Sequence, residues 1–157
     1  FFFFCRSTQM RRVVCGVGRR RPLSTVGVTV ELPDDAVTSL RGTVGETLLQ
    51  ALERADLSDV WPGGACGGSC QCSTCRVVVV RAPAALADRS DDETDMLDTA
   101  ATAASRLGGD GDGDYLADTS RLSCQITLRR DDDGLVVRLP DDVTNVLEVP
   151  IWLRGQR

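Results

Sequence analysis

The segment A-C-G-G-S-C-Q-C-S-T-C-R, residues 65–76, contains four of the seven cysteines of the chain. Disulfide bonds among cysteines this close in sequence would demand very tight loops, and an odd total cannot pair completely. Glycines at positions 63, 64, 67 and 68 allow backbone amides to approach a bound group closely. The segment therefore predicts a metal or cluster site on a loop.

The spacing of the cysteines restricts which metal or cluster the site is expected to bind. Cys66, Cys72 and Cys75 form C-x5-C-x2-C, and Cys124 lies in a distant predicted strand. Four thiolates suit a 2Fe-2S cluster, because each ferric ion takes two bridging sulfides and two protein sulfurs. They also form a complete ligand set for structural zinc, so zinc stays open from spacing alone. Cys70 is expected to be a non-ligand, since the plant-type spacing C-x4-C-x2-C from Cys70 would need a cysteine where Val78 stands.

Two strands and a helix are predicted before the cysteine loop. Residues 26–32 alternate apolar with small or polar side chains, a turn follows at residues 33–35, and residues 36–40 return as a second strand. Thr43 and Glu46 have the spacing of a capping box, which predicts that a helix begins there. Its apolar positions recur every three or four residues and can cover a sheet: Val44, Leu48, Leu49, Leu52 and Ala55.

Further elements are predicted after the loop. The run V-V-V-V at residues 77–80 predicts a buried strand. A second capping-box pattern at residues 90–93 predicts a helix with acids on one side and an apolar side formed by Met96, Leu97, Ala100, Ala101 and Ala104. Residues 121–128, which include Cys124, and residues 135–139 predict two strands joined by the turn D-D-D-G at residues 131–134.

One domain accounts for most of the 157 residues, and it is expected over residues 25–150. Within it, residues 107–115 predict an inserted flexible loop rich in Gly and Asp, and residues 151–157 form a C-terminal tail. Residues 1–24 contain six of the eighteen arginines and no acid, the composition of an organelle transit peptide. Because the first residue is Phe1 and the first methionine is Met10, two alternatives stay open: a start before Phe1, or a product from Met10 with residues 1–9 extraneous.

The net negative charge of the chain after residue 23 argues against nucleic acid and anionic membranes as partners. From residue 24 onward, twelve arginines stand against twenty-three acids, a net charge of −11. Such a body repels nucleic acid and anionic membranes and attracts basic proteins, with solubility alone as the alternative role of the charge. No stretch approaches the roughly 20 apolar residues needed to cross a bilayer, so no membrane insertion is expected. The chain has no histidine to act as base for a reactive Cys70 thiol, which disfavours an enzyme of that kind.

Four motifs in sequence order carry a resemblance to a known family. A-C-G-G-S-C-Q-C-S-T-C at residues 65–75, S-D-D-E-T-D-M-L-D at 90–98, S-R-L-S-C-Q-I at 120–126 and V-V-R-L-P at 136–140 resemble the adrenodoxin-type ferredoxins of mitochondria and bacterial iron–sulfur assembly. The resemblance implies an α+β fold of the β-grasp type, a mixed sheet with a crossing helix and a cluster-binding loop. It also implies one 2Fe-2S cluster on Cys66, Cys72, Cys75 and Cys124, rather than zinc.

The resemblance further implies an electron carrier, not an enzyme. Family members pass one electron from an FAD-containing NADPH ferredoxin (adrenodoxin) reductase to an acceptor, and acids on the helix after the cluster loop bind both partners. Those positions match Asp91, Asp92, Glu93, Asp95 and Asp98, with Asp95 and Asp98 as the main contacts. Asp91, Asp95 and Asp98 are spaced to share one helix face. Acids in a first helical turn also stabilise the helix dipole, so Asp91, Asp92 and Glu93 have a structural alternative.

The expected function is one-electron transfer, by a monomer in the mitochondrial matrix, from that reductase to an iron–sulfur assembly complex. Donation to a mitochondrial cytochrome P450 or haem-modifying oxygenase is an alternative that the sequence does not separate. A structural zinc-binding module is the alternative of another class. Two features depart from the family pattern: Arg76 stands where members usually have His, and the Gly/Asp loop lengthens the segment before Cys124.

Overall fold

The structure is a computed structural model that describes residues 24–108 and 115–154. Within these residues, five strands form one sheet in the spatial order β2-β1-β5-β3-β4. The strands are β1 Thr25–Glu31, β2 Val37–Thr43, β3 Arg76–Arg81, β4 Ser120–Leu122 and β5 Leu135–Arg138. The helices are α1 Leu48–Glu53 and α2 Asp91–Arg106. Because β1 and β5 are parallel while the other pairs are antiparallel, the sheet is mixed, which confirms the expected α+β β-grasp fold.

The first two strands form the predicted hairpin. Strand β1 pairs antiparallel with β2, from Thr25 opposite Thr43 to Glu31 opposite Val37. Its alternating pattern places three valines in the core: Val26, Val28 and Val30. The turn between the strands contains Asp35 in a left-handed conformation with φ of 63°. Alternation of apolar residues and the turn chemistry therefore act together, as the sequence indicates.

Helix α1 begins later than predicted. Its N-cap is Thr47, whose Oγ1 accepts a hydrogen bond from the Gln50 backbone at 3.3 Å, while Gln50 Oε1 accepts from the Thr47 backbone at 3.1 Å. Thr43 remains the last residue of β2, paired with Thr25, so it cannot also start a helix. The Glu46 carboxylate does accept a hydrogen bond from the Thr43 backbone at 2.7 Å, which closes the turn. The predicted apolar face is largely correct, since it buries Leu48, Leu49 and Leu52.

Strand β3 is buried only at its beginning. Val77 is inaccessible to solvent, whereas Val80 is 43% exposed. The prediction of a fully buried strand is therefore wrong for its second half. Burial already decreases at Val78 and Val79, and the register of the strand with β5 shifts between Val79 and Arg81.

The predicted hairpin between the last two strands is also wrong. Strand β4 pairs with β3, and β5 lies between β1 and β3, so β4 and β5 are not neighbours. Strand β4 is short and ends at Leu122, and Cys124 lies in a 3-10 turn, Ser123–Gln125, rather than in a strand. A second 3-10 turn, Arg130–Asp132, precedes β5. The connection must cross from one edge of the sheet to its middle, which a tight turn cannot do.

Helix α2 agrees with its prediction in position and face. Ser90 caps it by accepting a hydrogen bond from the Glu93 backbone at 3.1 Å. Only this half of the predicted capping box forms, because the Glu93 carboxylate bonds to Arg121 instead. The predicted apolar side is buried throughout: Met96, Leu97, Ala100, Ala101 and Ala104.

The end of the inserted loop is not as predicted. Most of the loop, residues 109–114, lies outside the described residues, as do residues 1–23 of the transit peptide expected at 1–24 and the last three residues, 155–157. Leu107 is 57% exposed as expected, but Tyr115 is 5% exposed and belongs to the core. The C-terminal tail carries a 3-10 turn, Ile151–Leu153, held to α2 by a hydrogen bond of 3.0 Å from Arg106 Nη1 to the Trp152 carbonyl. Among the described helices, none has the length and apolar character needed to cross a bilayer.

Candidate metal centre

The cysteine loop bends through several left-handed residues. Gly67 and Gly68 have φ of 65° and 92°, and Cys70 and Ser73 adopt φ of 58° and 60° although they are not glycines. This conformation is strained for residues with a side chain, so the surrounding contacts must impose it. At Gly68 an added Cβ would lie 3.7 Å from the Cys124 Cβ. At this distance a Cβ would make only ordinary van der Waals contact, so glycine is needed here for its backbone angle.

The structure brings the four predicted cysteines together in two contacting pairs. The Cys66 and Cys72 side chains share a hydrogen bond, and so do the side chains of Cys75 and Cys124. The pairs are close enough to interact electrostatically, Cys66 with Cys124 and Cys72 with Cys75. Cys72, Cys75 and Cys124 are buried, and Cys66 is partly exposed at the mouth of the site.

The first pair contains a stabilised thiolate. Burial works to raise the pKa of the Cys66 thiol, but four hydrogen-bond donors outweigh it and lower the pKa to about 6. Two of the donors are side chains and two are backbone amides: Ser69, Cys72, Gly68 and Gln71. Cys72 Sγ lies 3.0 Å from Thr74 Oγ1. Cys66 is thus prepared to bind a metal as a thiolate near neutral pH.

The second pair, Cys75 and Cys124, also contains one thiol with a lowered pKa. A hydrogen bond from Cys75 lowers the pKa of Cys124 to about 7 against the opposing effect of burial. Gln125 Nε2, at 3.3 Å from Cys124 Sγ, and the Cys70 backbone amide act in the same direction. The same contact with Cys124, together with burial, raises the pKa of Cys75. Each pair therefore contains one sulfur that readily carries negative charge.

Cys70 is the remaining cysteine of the loop. Burial, followed by the negative charges of Cys124, Glu93, Asp92 and Cys66, raises the pKa of the Cys70 thiol to about 12. Its backbone amide donates a hydrogen bond to Cys124. That Cys70 is not a ligand stays a prediction.

The residues present fit a 2Fe-2S cluster. Two cysteine pairs match two irons that each take two protein sulfurs. Backbone amides of Gly68, Cys70 and Gln71 already donate to these sulfurs, and such donors stabilise the negative charge of a bound cluster. Among the described residues, no group of three or more Cys, Asp or Glu side chains is gathered closely enough to hold a single metal ion. A single structural zinc ion would instead take all four sulfurs at about 2.3 Å.

The predicted partner-binding acids separate into two groups. Asp91, Asp92, Asp95 and Asp98 are exposed on α2. Glu93 is not, because its side chain is fully buried, and the prediction that it contacts a partner is corrected. Glu93 Oε1 and Oε2 accept hydrogen bonds from Arg121 Nε and Nη2 at 2.9 and 3.0 Å, and the Leu122 backbone donates to Oε1 at 2.7 Å. Glu93 thus fixes α2 to the strand that leads to the Cys124 turn.

The C-terminal segment supports the loop in a way that sequence reasoning missed. Ser73 Oγ donates to the Thr144 carbonyl at 2.5 Å, and the Val146 backbone donates to the Cys72 carbonyl at 3.1 Å. The Thr144 backbone in turn donates to the Tyr115 hydroxyl at 2.8 Å. The apolar spacing of Val143, Val146 and Val149 is the sequence signal that this segment packs on the body. Nothing local indicates which loop it contacts.

The fold and the paired thiols define an iron–sulfur protein, and comparison with known families gives its class. The family described as "2Fe-2S iron-sulfur cluster binding domain" matches residues 31–129, so the chain belongs to the 2Fe-2S ferredoxins and binds one 2Fe-2S cluster. Within that class it is of the adrenodoxin type, which confirms the resemblance seen in the sequence.

Individual relatives are consistent with this type. The chain is 39% identical over 127 residues to the mitochondrial adrenodoxin homolog of Saccharomyces cerevisiae, across 80% of this chain and 64% of that protein, which is less than two thirds of its length. A heme A synthase–mitochondrial ferredoxin fusion protein of Schizosaccharomyces pombe is 45% identical over 89 residues, 55% of this chain and 12% of the fusion. A 2Fe-2S ferredoxin of Rickettsia prowazekii is 35% identical over 79% of this chain and 97% of its own length.

Solved structures agree with the fold. A ferredoxin of Rhodopseudomonas palustris HaA2 superposes with a TM-score of 0.61 at 29% identity, covering 75% of this chain and 99% of that one. A chain of the covalent putidaredoxin reductase–putidaredoxin complex superposes with a TM-score of 0.53 at 31% identity, covering 74% of this chain and 99% of that chain.

Proposed function

We propose that this chain is a monomeric one-electron carrier whose cluster is held by Cys66, Cys72, Cys75 and Cys124. The observation that carries the proposal is the pairing of these four thiols, with backbone amides directed at their sulfurs. A bound 2Fe-2S cluster supplies reversible uptake of a single electron. The protein is then an electron-transfer protein and not an enzyme, and its partners determine what the electron does.

The chain's own residues provide binding and insulation. Cys72, Cys75 and Cys124 are buried and would shield a bound cluster from water, whereas Cys66 is partly exposed. Because an electron crosses only a short distance, we expect a partner to dock close to Cys66. The exposed acids of α2 lie on the helix that Glu93 fixes to Arg121 of β4, the strand that leads to the Cys124 turn.

The electron donor in this proposal is an FAD-containing NADPH ferredoxin reductase. Support comes from the exposed acids Asp91, Asp92, Asp95 and Asp98, which would pair with a basic surface, and from the fold similarity to a chain crystallised in a covalent reductase complex. The electron acceptor is proposed to be an iron–sulfur assembly complex. The arginine-rich, acid-free residues 1–24 and the mitochondrial relative in yeast support a location in the mitochondrial matrix.

A haem-modifying oxygenase or a cytochrome P450 is the second candidate acceptor. One observation favours it specifically: a relative in Schizosaccharomyces pombe joins a mitochondrial ferredoxin to a heme A synthase in one chain. Physical linkage of a carrier to an enzyme raises their effective concentration, which suits a donor and its acceptor.

Spectroscopy of the anaerobically purified chain tests the core of the proposal. We expect a brown protein that contains iron and sulfide in equal amounts, and that gives a spin-half signal in electron paramagnetic resonance only after reduction by dithionite. Parallel assays with a reductase and either an assembly complex or a cytochrome P450 then discriminate between acceptors by the rate of reoxidation. A colourless protein that binds zinc after reconstitution with iron and sulfide would refute the carrier function.

A further inference from the structure

Arg76, the residue that replaces the family's usual His, is buried beside the cluster site. It directly follows Cys75 as the first residue of β3, and its side chain is only 4% exposed. Its guanidinium carbon lies 4.0 Å from the centre of the Tyr115 ring. A guanidinium stays protonated at every accessible pH, so the site contains a permanent positive charge.

No carboxylate among the described residues neutralises this charge. The ion pairs there involve Arg54, Arg121, Arg129 and Arg138, but not Arg76. Arg76 Nε and Nη1 are buried and find no hydrogen-bond acceptor in the described part of the chain. Arg121 provides a comparison, because it is similarly buried but is paired with Glu93 through two hydrogen bonds. A buried charge without an opposite charge is costly, so a negative group must compensate Arg76.

The cluster with its four thiolates is a negative group within range. Bond lengths limit the separation between Cys75 Sγ and the Arg76 guanidinium to roughly 12 Å. The oxidised cluster already carries net negative charge, and one-electron reduction makes it more negative. We infer that Arg76 is the fixed internal counter-charge of the cluster and raises its reduction potential. This inference rests on the proposed function, because it needs the cluster to be bound and redox-active.

The expected size follows from Coulomb's law. With an effective dielectric constant of about 20 and the separation at its upper limit of roughly 12 Å, one unit charge changes the reduction equilibrium by about tenfold. For a one-electron couple, a tenfold change corresponds to about 59 mV. Since the charge is buried, bulk salt should not screen it.

The test compares reduction potentials of full-length variants that have been reconstituted with the cluster, measured by spectroelectrochemical titration of visible absorbance. Arg76→Gln should lower the potential by about 59 mV, at both low and high salt. Arg76→Lys should keep most of the wild-type potential because it keeps the charge. Tyr115→Phe removes the hydroxyl that binds the Thr144 backbone but retains ring and charge, and it should match the wild type. Arg138→Gln removes an exposed arginine paired with Glu31, and its smaller effect should vanish with salt.

The outcomes separate the inference from its alternatives. Equal potentials for wild type and Arg76→Gln, with intact spectra, would overturn it, since a group outside the described residues would then neutralise Arg76. If Tyr115→Phe or Arg76→Lys lowered the reduction potential as much as Arg76→Gln does, the inference would also be overturned. The cause would then be displacement of the C-terminal segment and not loss of the charge. If Arg76→Gln does not retain a cluster, Arg76→Met, which preserves the apolar stem, replaces it. A colourless wild-type chain would refute the proposed function and with it this inference, whereas a brown wild type restricts any failure to Arg76.

Discussion

Cys70 and Cys124 make opposite contributions to the site, although both lie near the other thiols. Cys124 contributes its sulfur, while Cys70 contributes its backbone amide. We therefore expect Cys124→Ser to abolish stable cluster assembly, and Cys70→Ser to leave the visible spectrum nearly unchanged. Absorption spectra with iron and sulfide content of both variants check this. Loss of the spectrum in Cys70→Ser would mean that the ligand set has been assigned incorrectly.

Glu93 illustrates how burial changes the role of an acid. Glu93→Gln leaves the Arg121 charge buried without a partner, which typically costs about 3–5 kcal/mol. We expect the midpoint of thermal bleaching of the cluster to fall by roughly 10 °C.

Two further variants control for this effect. Asp92→Asn changes an exposed neighbour and should shift the midpoint little. In the double variant Glu93→Gln with Arg121→Met, no unpaired charge remains. It should therefore lose less stability than the sum of the losses in the two single variants. If Glu93→Gln bleaches at the wild-type temperature, the buried pair does not stabilise the fold.

At the scale of elements, α2 presents one face to the core and another to solvent. Asp95 and Asp98 are exposed on this helix and are the expected contacts for a basic partner. Because charge on the surface steers association, Asp95→Asn combined with Asp98→Asn should slow reduction by the reductase roughly tenfold at low salt. The difference should shrink as ionic strength rises, and the visible spectrum should not change. Stopped-flow reduction over a range of salt concentrations measures this.

A matched control variant loses the same number of negative charges, but its two substitutions lie outside α2. Asp56→Asn combined with Asp59→Asn alters two exposed acids after α1. This variant should be reduced at nearly the wild-type rate. Equal slowing in both double variants would indicate a general effect of net charge, and the assignment of the docking surface to α2 would then be incorrect.

At the scale of the whole molecule, the cluster connects segments that are distant in sequence. The cysteine loop binds residues 144–146 through Ser73 and Cys72, so order in the loop and order in the C-terminal segment depend on each other. Metal binding energy at four thiolates becomes folding energy. Removal of the cluster should therefore increase hydrogen exchange at residues 63–76 and 144–146, while β1, β2 and β5 stay protected.

Hydrogen exchange of the apo and cluster-bound forms, followed by mass spectrometry, tests this coupling. The hairpin of β1 and β2 serves as an internal reference, because its pairing does not involve the cysteine loop. Uniform loss of protection would mean that the whole domain unfolds without the cluster. Unchanged protection at residues 144–146 would mean that the C-terminal segment is held independently of the loop.

The sequence by itself determined the local features of this protein. Alternation in β1, the apolar positions of α2 and the cap at Ser90 follow from short-range periodicity and hydrogen bonding. The spacing of Cys66, Cys72 and Cys75 restricted the chemistry to a thiolate-bound metal centre. The motifs together identified the type of ferredoxin. The strand alternation, the helix face, the cap and the cysteine spacing each depend on residues close together in sequence, where backbone geometry couples them directly.

Only the tertiary structure decided the features that depend on long-range pairing. Strand β5 was wrongly predicted to be the hairpin partner of β4, whereas it lies between β1 and β3. The alternation of side chains along a strand does not specify which strand is its neighbour. The start of α1 was misplaced since pairing with Thr25 retains Thr43 in a strand. Glu93 has the same local pattern as the exposed acids around it, and only Arg121, far along the chain, shows that it is buried. The unpaired charge of Arg76 likewise becomes visible only when Tyr115 and the cluster loop are brought together, since burial is a property of the assembled fold.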